Sequence, residues 1–201
     1  MKVTLITATK RPIDVISQAA GTSYGKVDLN PKRVRHCYNA GHMSVFEQAS
    51  FTVRIEGISR ACSHQLVRHR LASFVQQSQR YTTVDDSGKW YVTPPVFAEK
   101  PDYTCWYNGQ MNQALAAYEG ALAVGVDPED ARYLLPQSVC TTLTMTMNVR
   151  EFFHFLDLRT ASDAQWEIRD LANELLRVVR GTSGQWYELI SLWHPKAVDS
   201  E

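Results

Sequence analysis

The sequence predicts a single α+β domain over residues 1–201, a mixed sheet surrounded by helices, and three observations predict it. A chain of 201 residues is long enough for one sizeable core and short for two. Hydrophobic residues make up 44% and charged residues 21%, the balance of a globular chain rather than a disordered one. Apolar residues recur at a period of two in some segments and near 3.6 in others, with no repeat, linker or low-complexity tract between them.

The elements follow in order. Val3 to Thr7 is β-prone and predicts a strand. Pro12 to Ala20 and Pro31 to Asn39 each begin at proline and end close to glycine, the punctuation of short helices. Ser50 to Ile55 alternates, with Phe51, Val53 and Ile55 on one side, and predicts a half-buried strand. Ile58 to His69 places Ile58, Ala61, Cys62 and Leu66 at helical spacing. Ser73 to Gln79 then breaks the pattern, too polar and mixed for a helix face. Asp85 to Gly88 reads as a turn between extended Tyr81–Val84 and Lys89–Thr93. Asp102 to Val124 carries a long helical pattern, and Asp127-Pro128-Glu129-Asp130 has the composition of a helix start. Cys140 to Met147 is β-branched and alternating, a further strand. Asn148 is placed to cap the next helix, with Glu151 three residues on in a capping-box arrangement. On that helix Val149, Phe152, Phe153 and Leu156 form an apolar face, while Arg150 and His154 share another. Ser162 with Gln165 opens a helix whose core side is Ile168, Leu171, Leu175 and Val178.

Composition excludes several classes of function. The longest apolar stretches, such as Ala121 to Val126, are too short to cross a bilayer. The opening MKVTLITATKRP lacks the apolar core of a secretory signal, so a cytoplasmic protein is expected. Cys37, Cys62, Cys105 and Cys140 are scattered, with no C-x-x-C pair, which predicts free thiols. The histidines form no H-E-x-x-H pattern, and His64 and His69, five apart, diverge on a helix; no metal site is expected. Lysine plus arginine equals aspartate plus glutamate at 21 each, which argues against a nucleic-acid-coating role. Arginines outnumber lysines 14 to 7, and several sit in two short segments. Their rigid donor forks suit phosphates and planar carbonyl edges.

One of those segments, Gln65 to Tyr81, concentrates polar side chains: Gln65, Arg68, His69, Arg70, Ser73, Gln76, Gln77, Ser78, Gln79 and Arg80. A solvated surface is one explanation. Against it, the apolar lead-in Ile58 to Val67 anchors one end in the core. Fixed donors beside a core suit a ligand with phosphates and hydrogen-bonding rings.

RHRLASFVQQSQRY, Arg68 to Tyr81, resembles the signature of the flavin-dependent thymidylate synthases, with Arg68-His69-Arg70, Ser73, Ser78 and Arg80 in register. GHMSVFEQASFTV around His42 to Val53, ARYLLP at Ala131 to Pro136, and NVREFFHFLDLRTASDAQWEIR from Asn148 to Arg169 resemble the same family in the same order. Val75 is apolar where relatives often carry a small polar residue, and Gln76 and His154 stand where some members have Glu and Asn. The resemblance implies a thymidylate synthase-complementing-type fold and conversion of dUMP to dTMP. FAD would be the cofactor, with NADPH as its reductant and 5,10-methylenetetrahydrofolate as one-carbon donor. It further implies a homotetramer with shared active sites. Carried onto this sequence, it puts Ser44, Arg68, His69, Arg70, Gln76, Asn148, Arg150 and His154 at FAD, with Ser44 reaching it from a neighbouring subunit. Gln65, Arg68, Gln76, Gln77, Ser78, Gln79, Arg80, Arg132 and Arg159 would bind dUMP.

The same resemblance makes Arg159 the expected catalytic residue. A guanidinium stays protonated, so it would stabilise negative charge on the uracil ring rather than act as a base. Without the family, a helix C-terminal arginine meeting the dipole is the plainer account. Ser78 has no recognisable activating base and is expected to hold phosphate rather than attack. His69, between two arginines, is expected to stay neutral and meet a flavin carbonyl. Trp166 and Trp186 read as core or interface anchors. The rival readings are a nucleic-acid-binding module stacking bases on Phe74 and Tyr81, and an inactive relative that keeps only the fold.

Overall fold

Alternation along two segments, interrupted once in the first, decides the architecture. A computed structural model describes residues 1–84 and 88–193. Its elements run β1 (Lys2–Ala8), α1 (Pro12–Thr22), α2 (Lys32–Asn39), a 3-10 turn (Met43–Gln48), β2 (Ser50–Ser59), α3 (Arg60–Leu66) and β3 (Ala72–Gln76). There follow α4 (Pro95–Ala98), α5 (Pro101–Ala123), α6 (Pro128–Ala131), a 3-10 turn (Arg132–Leu134), β4 (Cys140–Asn148), α7 (Val149–Arg159), α8 (Trp166–Arg180) and α9 (Gly184–Ile190). The strands form a four-stranded sheet in the order β1-β2-β4-β3. The α+β expectation holds, but the sheet is antiparallel rather than mixed. The half-buried alternation of β2 and β4 is the pattern of antiparallel strands; parallel strands, covered on both faces, read as continuous apolar runs. No helix among the described residues is long and apolar enough to cross a membrane.

The chain forms two compact units. One comprises Met1, Glu56–His64 and Val75–Leu143. Its core gathers Trp90, Met111, Leu115, Tyr118 and Val139, and the stacked pair Phe97–Tyr107 lies 4.5 Å between ring centroids. The second comprises Lys2–Ile55, Gln65–Phe74 and Thr144–Glu201. Here Phe51 meets Phe152 and Trp186 edge-on at 4.9 and 6.0 Å, and Trp186 Nε1 donates to the Thr9 carbonyl at 2.9 Å. Trp186 is thus a core anchor, while Trp166 is half-buried.

Several boundaries moved, each for a local reason. Ile58 belongs to β2, not to the following helix, because the chain at Gly57 adopts φ 71° and the alternation slips by one residue. That left-handed backbone costs glycine nothing, and it returns Ile58 to a fully buried position. The helix predicted over Ile58–His69 shrinks to Arg60–Leu66. The polar stretch from Ser73 contains the short strand β3. Tyr81–Val84 and Lys89–Thr93 add no strand to the sheet, although Tyr91 makes an isolated antiparallel bridge to Val139. Asp85–Ser87 of the predicted turn lies outside the described residues. The start at Asp127 yields only Pro128–Ala131 before a 3-10 turn, without a side-chain cap. Gln165, not Ser162, caps α8 by accepting from the Glu167 and Ile168 N–H groups, and Val179 rather than Val178 completes its buried side.

Asn148 caps α7 as expected, its Oδ1 accepting from the Glu151 N–H at 2.9 Å. This bond fixes the first turn of the helix on which the candidate site is built. Asn148→Ala is expected to lower unfolding free energy by about 1 kcal/mol, and Asn148→Asp by less, as read by urea denaturation.

Candidate active site

Residues 68–70 leave α3 through a tight turn, with His69 N–H donating to the Leu66 carbonyl at 3.1 Å and Ala72 N–H to the His69 carbonyl at 3.1 Å. The turn exposes Arg68 and Arg70 and buries His69, which is 4% exposed. On α7, Glu151, Phe155 and Arg159 recur every four residues and so share one side of the helix. All three meet His69. Glu151 Oε1 lies 2.8 Å from His69 Nδ1, the Phe155 ring packs edge-on at 4.9 Å, and Arg159 Nε donates to His69 Nε2 at 3.1 Å.

These contacts settle the protonation of His69. Arginine has only donors, so Nε2 must be the bare, accepting nitrogen. The ring proton then sits on Nδ1 and is donated to the Glu151 carboxylate. Burial holds the His69 pKa below the ordinary value of 6.5; the Glu151 hydrogen bond opposes this, and the Arg159 charge reinforces it. The predicted neutrality therefore has a different cause from the flanking arginines. Both ring nitrogens of His69 are engaged within the protein, so the expected contact with a flavin carbonyl would have to displace or share one of these bonds.

Around this chain lies a cleft of about 1030 Å³, lined among others by Arg68, Arg70, Arg150, His154 and Arg159. The structure thus brings together both arginine-bearing segments, the first from the turn after α3 and the second from α7. Arg150 pairs with Glu47 at 2.5 Å. Among the described residues, neither Arg68 nor Arg70 has an ion-pair partner. Uncompensated guanidinium groups around a cavity of this size suit a large ligand carrying phosphates. His69, Glu151 and His154 also bring three potential metal-ligating atoms within 4.8 Å of one another, a grouping that residue spacing did not reveal. The two buried members are hydrogen-bonded to each other, and the remaining nitrogen of His69 accepts from Arg159, so a cation would have to break both bonds.

Other expected residues lie elsewhere. Ser44 is exposed on the 3-10 turn and does not line the cleft, although its neighbour Met43 does. The Asn148 side chain is engaged as the helix cap. Gln65 is half-buried, its carbonyl accepting from the Arg68 N–H at 3.3 Å.

In the first unit, Gln79 and Arg132 line a pocket of about 450 Å³ with Arg60 and His64. Gln76 donates to Ser63 Oγ at 3.0 Å and Thr141 Oγ1 at 3.1 Å. Gln77 gives its carbonyl to Arg60 Nη2 at 2.9 Å. Ser78 Oγ accepts from the Arg80 N–H at 3.2 Å, and Arg80 pairs with Glu129 at 2.6 Å. Arg60 is the residue that the sequence reading missed. Among the described residues its buried Nε has no partner, and burial followed by the Arg132 charge pushes its pKa down. Two arginines lining one pocket are a donor set suited to an anion. The sequence signal for Arg60 was weak, because it fell inside the helix expected over Ile58–His69, whereas it is the first residue of α3, directly after β2.

Because the His69 pKa is depressed, the unfolded chain binds this proton more readily than the folded one. Stability is therefore full above about pH 6.5 and declines as pH falls below that value toward the folded pKa. The Tm of the protein is expected to drop between about pH 7 and pH 5, and less steeply in His69→Gln, as read by differential scanning calorimetry at fixed ionic strength.

Residues 4–183 match the family model described as thymidylate synthase complementing protein. The chain is 41% identical over 194 residues to a flavin-dependent thymidylate synthase of Geobacter sulfurreducens, covering 91% of this chain and 84% of that one. It is 40% identical over 189 residues to one from Pyrococcus furiosus, covering 88% and 78%. A third, from Haloarcula marismortui, is 33% identical over 244 residues and covers 99% and 94%. With Arg68 and Arg70 of its signature at the cleft and the family match running through nearly its whole length, the chain belongs to the thymidylate synthase complementing protein (Thy1) family.

Proposed function

We propose that this chain is a flavin-dependent thymidylate synthase that converts dUMP to dTMP, with 5,10-methylenetetrahydrofolate as the one-carbon donor. The observation that carries the reading is Arg159, tethered by Nε to His69 at the cleft that Arg68, Arg70 and Arg150 line. Among the described residues its terminal nitrogens have no partner, so they remain for a ligand.

When bound and reduced by NADPH, FAD would supply the hydride of the reaction. The unpaired Arg68 and Arg70 and the volume of the cleft support this assignment, with Arg150 and His154 on the exposed side of α7 as further contacts. Gln76 and Asn148 keep their family-based places at the flavin in this proposal, and Ser44 meets it from a neighbouring subunit of a homotetramer. The anion pocket of Arg60, Gln79 and Arg132 takes the phosphate of dUMP, with Arg80 and the backbone at Ser78 beside it. Gln65, Gln77 and Arg68 complete the nucleotide contacts. A single functional domain in the cytoplasm is part of the same reading, since the family match runs through both units.

Arg159 then acts on the uracil ring. Its fixed positive charge stabilises the negative charge that develops on N3 and O4 as C5 becomes nucleophilic. No protein nucleophile is required. Ser78 Oγ accepts a backbone N–H, and Ser78 lacks the activating base that attack would need.

Arg159→Ala is expected to lower kcat for dTMP formation by about 100-fold or more while the purified protein keeps its flavin absorbance. Flavin loss at full residual turnover per bound flavin would contradict the role. Arg132→Ala is expected to raise KM for dUMP about tenfold with kcat changed far less, measured by steady-state kinetics on the FAD-loaded enzyme.

A further inference from the structure

Two buried side chains of the candidate site have no part in the reaction as described above, and they are linked to the one that does. Glu151 and His69 expose only 4% and 3% of their side chains and lie 2.8 Å apart. A carboxylate and an imidazole sealed from water are costly unless each polar atom is matched. Here the match is directional. The carboxylate only accepts, the guanidinium only donates, and the imidazole between them satisfies both by donating at Nδ1 and accepting at Nε2.

We infer that Glu151 and His69 are positioning residues for Arg159: the carboxylate fixes the imidazole with its proton on Nδ1, and the bare Nε2 holds Arg159 by Nε, leaving the two terminal guanidinium nitrogens for the uracil ring. This inference rests on the assignment of Arg159 to the nucleotide. It removes His69 from the flavin contacts and gives Glu151 a role beyond the start of its helix.

The geometry makes the arrangement rigid. Glu151 and Arg159 project from one side of the same helix, two turns apart, and His69 spans them with Phe155 packed against its ring. The hydrogen bonds share one polarity: Glu151 accepts, His69 donates at Nδ1 and accepts at Nε2, and Arg159 donates. The titratable groups acting on His69 are Glu151, Arg159 and His154, all on α7, with Arg68 and Arg70 flanking it in sequence. A second proton on His69 would replace the acceptor at Nε2 with a donor opposite Arg159. A glutamine at position 151 can donate to Nδ1 and so permits the wrong tautomer, in which Nε2–H opposes Arg159 Nε–H. A glutamine at position 69 still offers a carbonyl oxygen near the place of Nε2, whereas leucine offers none.

The test uses FAD-loaded enzyme and steady-state dTMP formation, in the wild-type and Arg159→Lys backgrounds. His69→Leu is expected to lower kcat about 30- to 100-fold in the wild-type background, with KM for dUMP within about threefold and flavin retained. His69→Gln is expected to recover kcat to within about fivefold of wild type. In the Arg159→Lys background, His69→Leu is expected to change kcat by no more than about twofold, because the group it positions is already gone. An equal loss in both backgrounds, a His69→Gln variant no better than His69→Leu, or loss of flavin from His69→Gln overturns the inference. If His69→Leu does not fold, Glu151→Gln decides it: a fall in kcat of about tenfold with full flavin content supports the inference, and wild-type kcat overturns it. If Arg159→Ala itself leaves dTMP formation intact, the assignment of Arg159 fails and this inference falls with it. If Arg159→Ala abolishes the reaction while the His69 and Glu151 variants do not slow it, the inference alone fails.

Discussion

The hydrogen-bonded run from Glu151 through His69 to Arg159 is the constraint around which the candidate active site is arranged. It needs an acceptor-only group, a group that can donate and accept in one plane, and a donor-only group, in that order. It also needs dryness, since water at either bond would compete for the imidazole. Both requirements reach back into the fold. Asn148 fixes the first turn of α7, and Phe152, Phe153 and Leu156 sink the helix into the core, so Glu151 and Arg159 emerge at set heights along its axis. The turn at 68–71 brings His69 inward while its two neighbours point to solvent. A single segment thereby supplies both a buried hinge for the guanidinium and two exposed cations for a ligand.

Charge is distributed by location rather than by excess. The chain is formally neutral, yet three arginines of the two candidate sites are left unmatched. Arg68 and Arg70 have no ion-pair partner among the described residues, and Arg60 keeps a buried Nε unpaired. Elsewhere the arginines are matched locally, as in the exposed pairs Arg33–Asp28 and Arg177–Glu174. Surface pairs of that kind contribute little to stability.

What the sequence disclosed was what local pattern encodes. Alternation marked β2 and β4, proline and glycine bracketed the first two helices, and the three-residue step from Asn148 to Glu151 marked the start of α7. The signature segment was legible because its arginines, histidine and serines stand close together in the chain. What escaped was set by long-range partners. Glu151 looked like a capping-box residue because its spacing from Asn148 fits one, but its carboxylate is taken by a histidine 82 residues away. Arg60 passed unnoticed because one glycine with positive φ shifts the strand register and moves the helix boundary to meet it. The sheet was expected to be mixed because strand direction depends on which strands pair, and alternation speaks to that only through burial.

The choice of histidine at position 69 follows from the same constraint. A buried lysine or arginine there would set two cations together beside Arg159, and a carboxylate would repel Glu151. Serine or threonine would be too short to touch both partners. Asparagine and glutamine can donate and accept, but their flexible amides can also turn end for end and reverse the polarity of the chain. An imidazole clamped by a carboxylate cannot, because the wrong tautomer leaves Nδ1 without a proton to donate and confronts Arg159 with another N–H. The wrong arrangement therefore costs two hydrogen bonds at once around a histidine and a carboxylate whose side chains are almost fully buried. The buried carboxylate is thus what makes histidine a dependable acceptor, and the dependable acceptor is what gives a long, otherwise mobile arginine one direction in which to point.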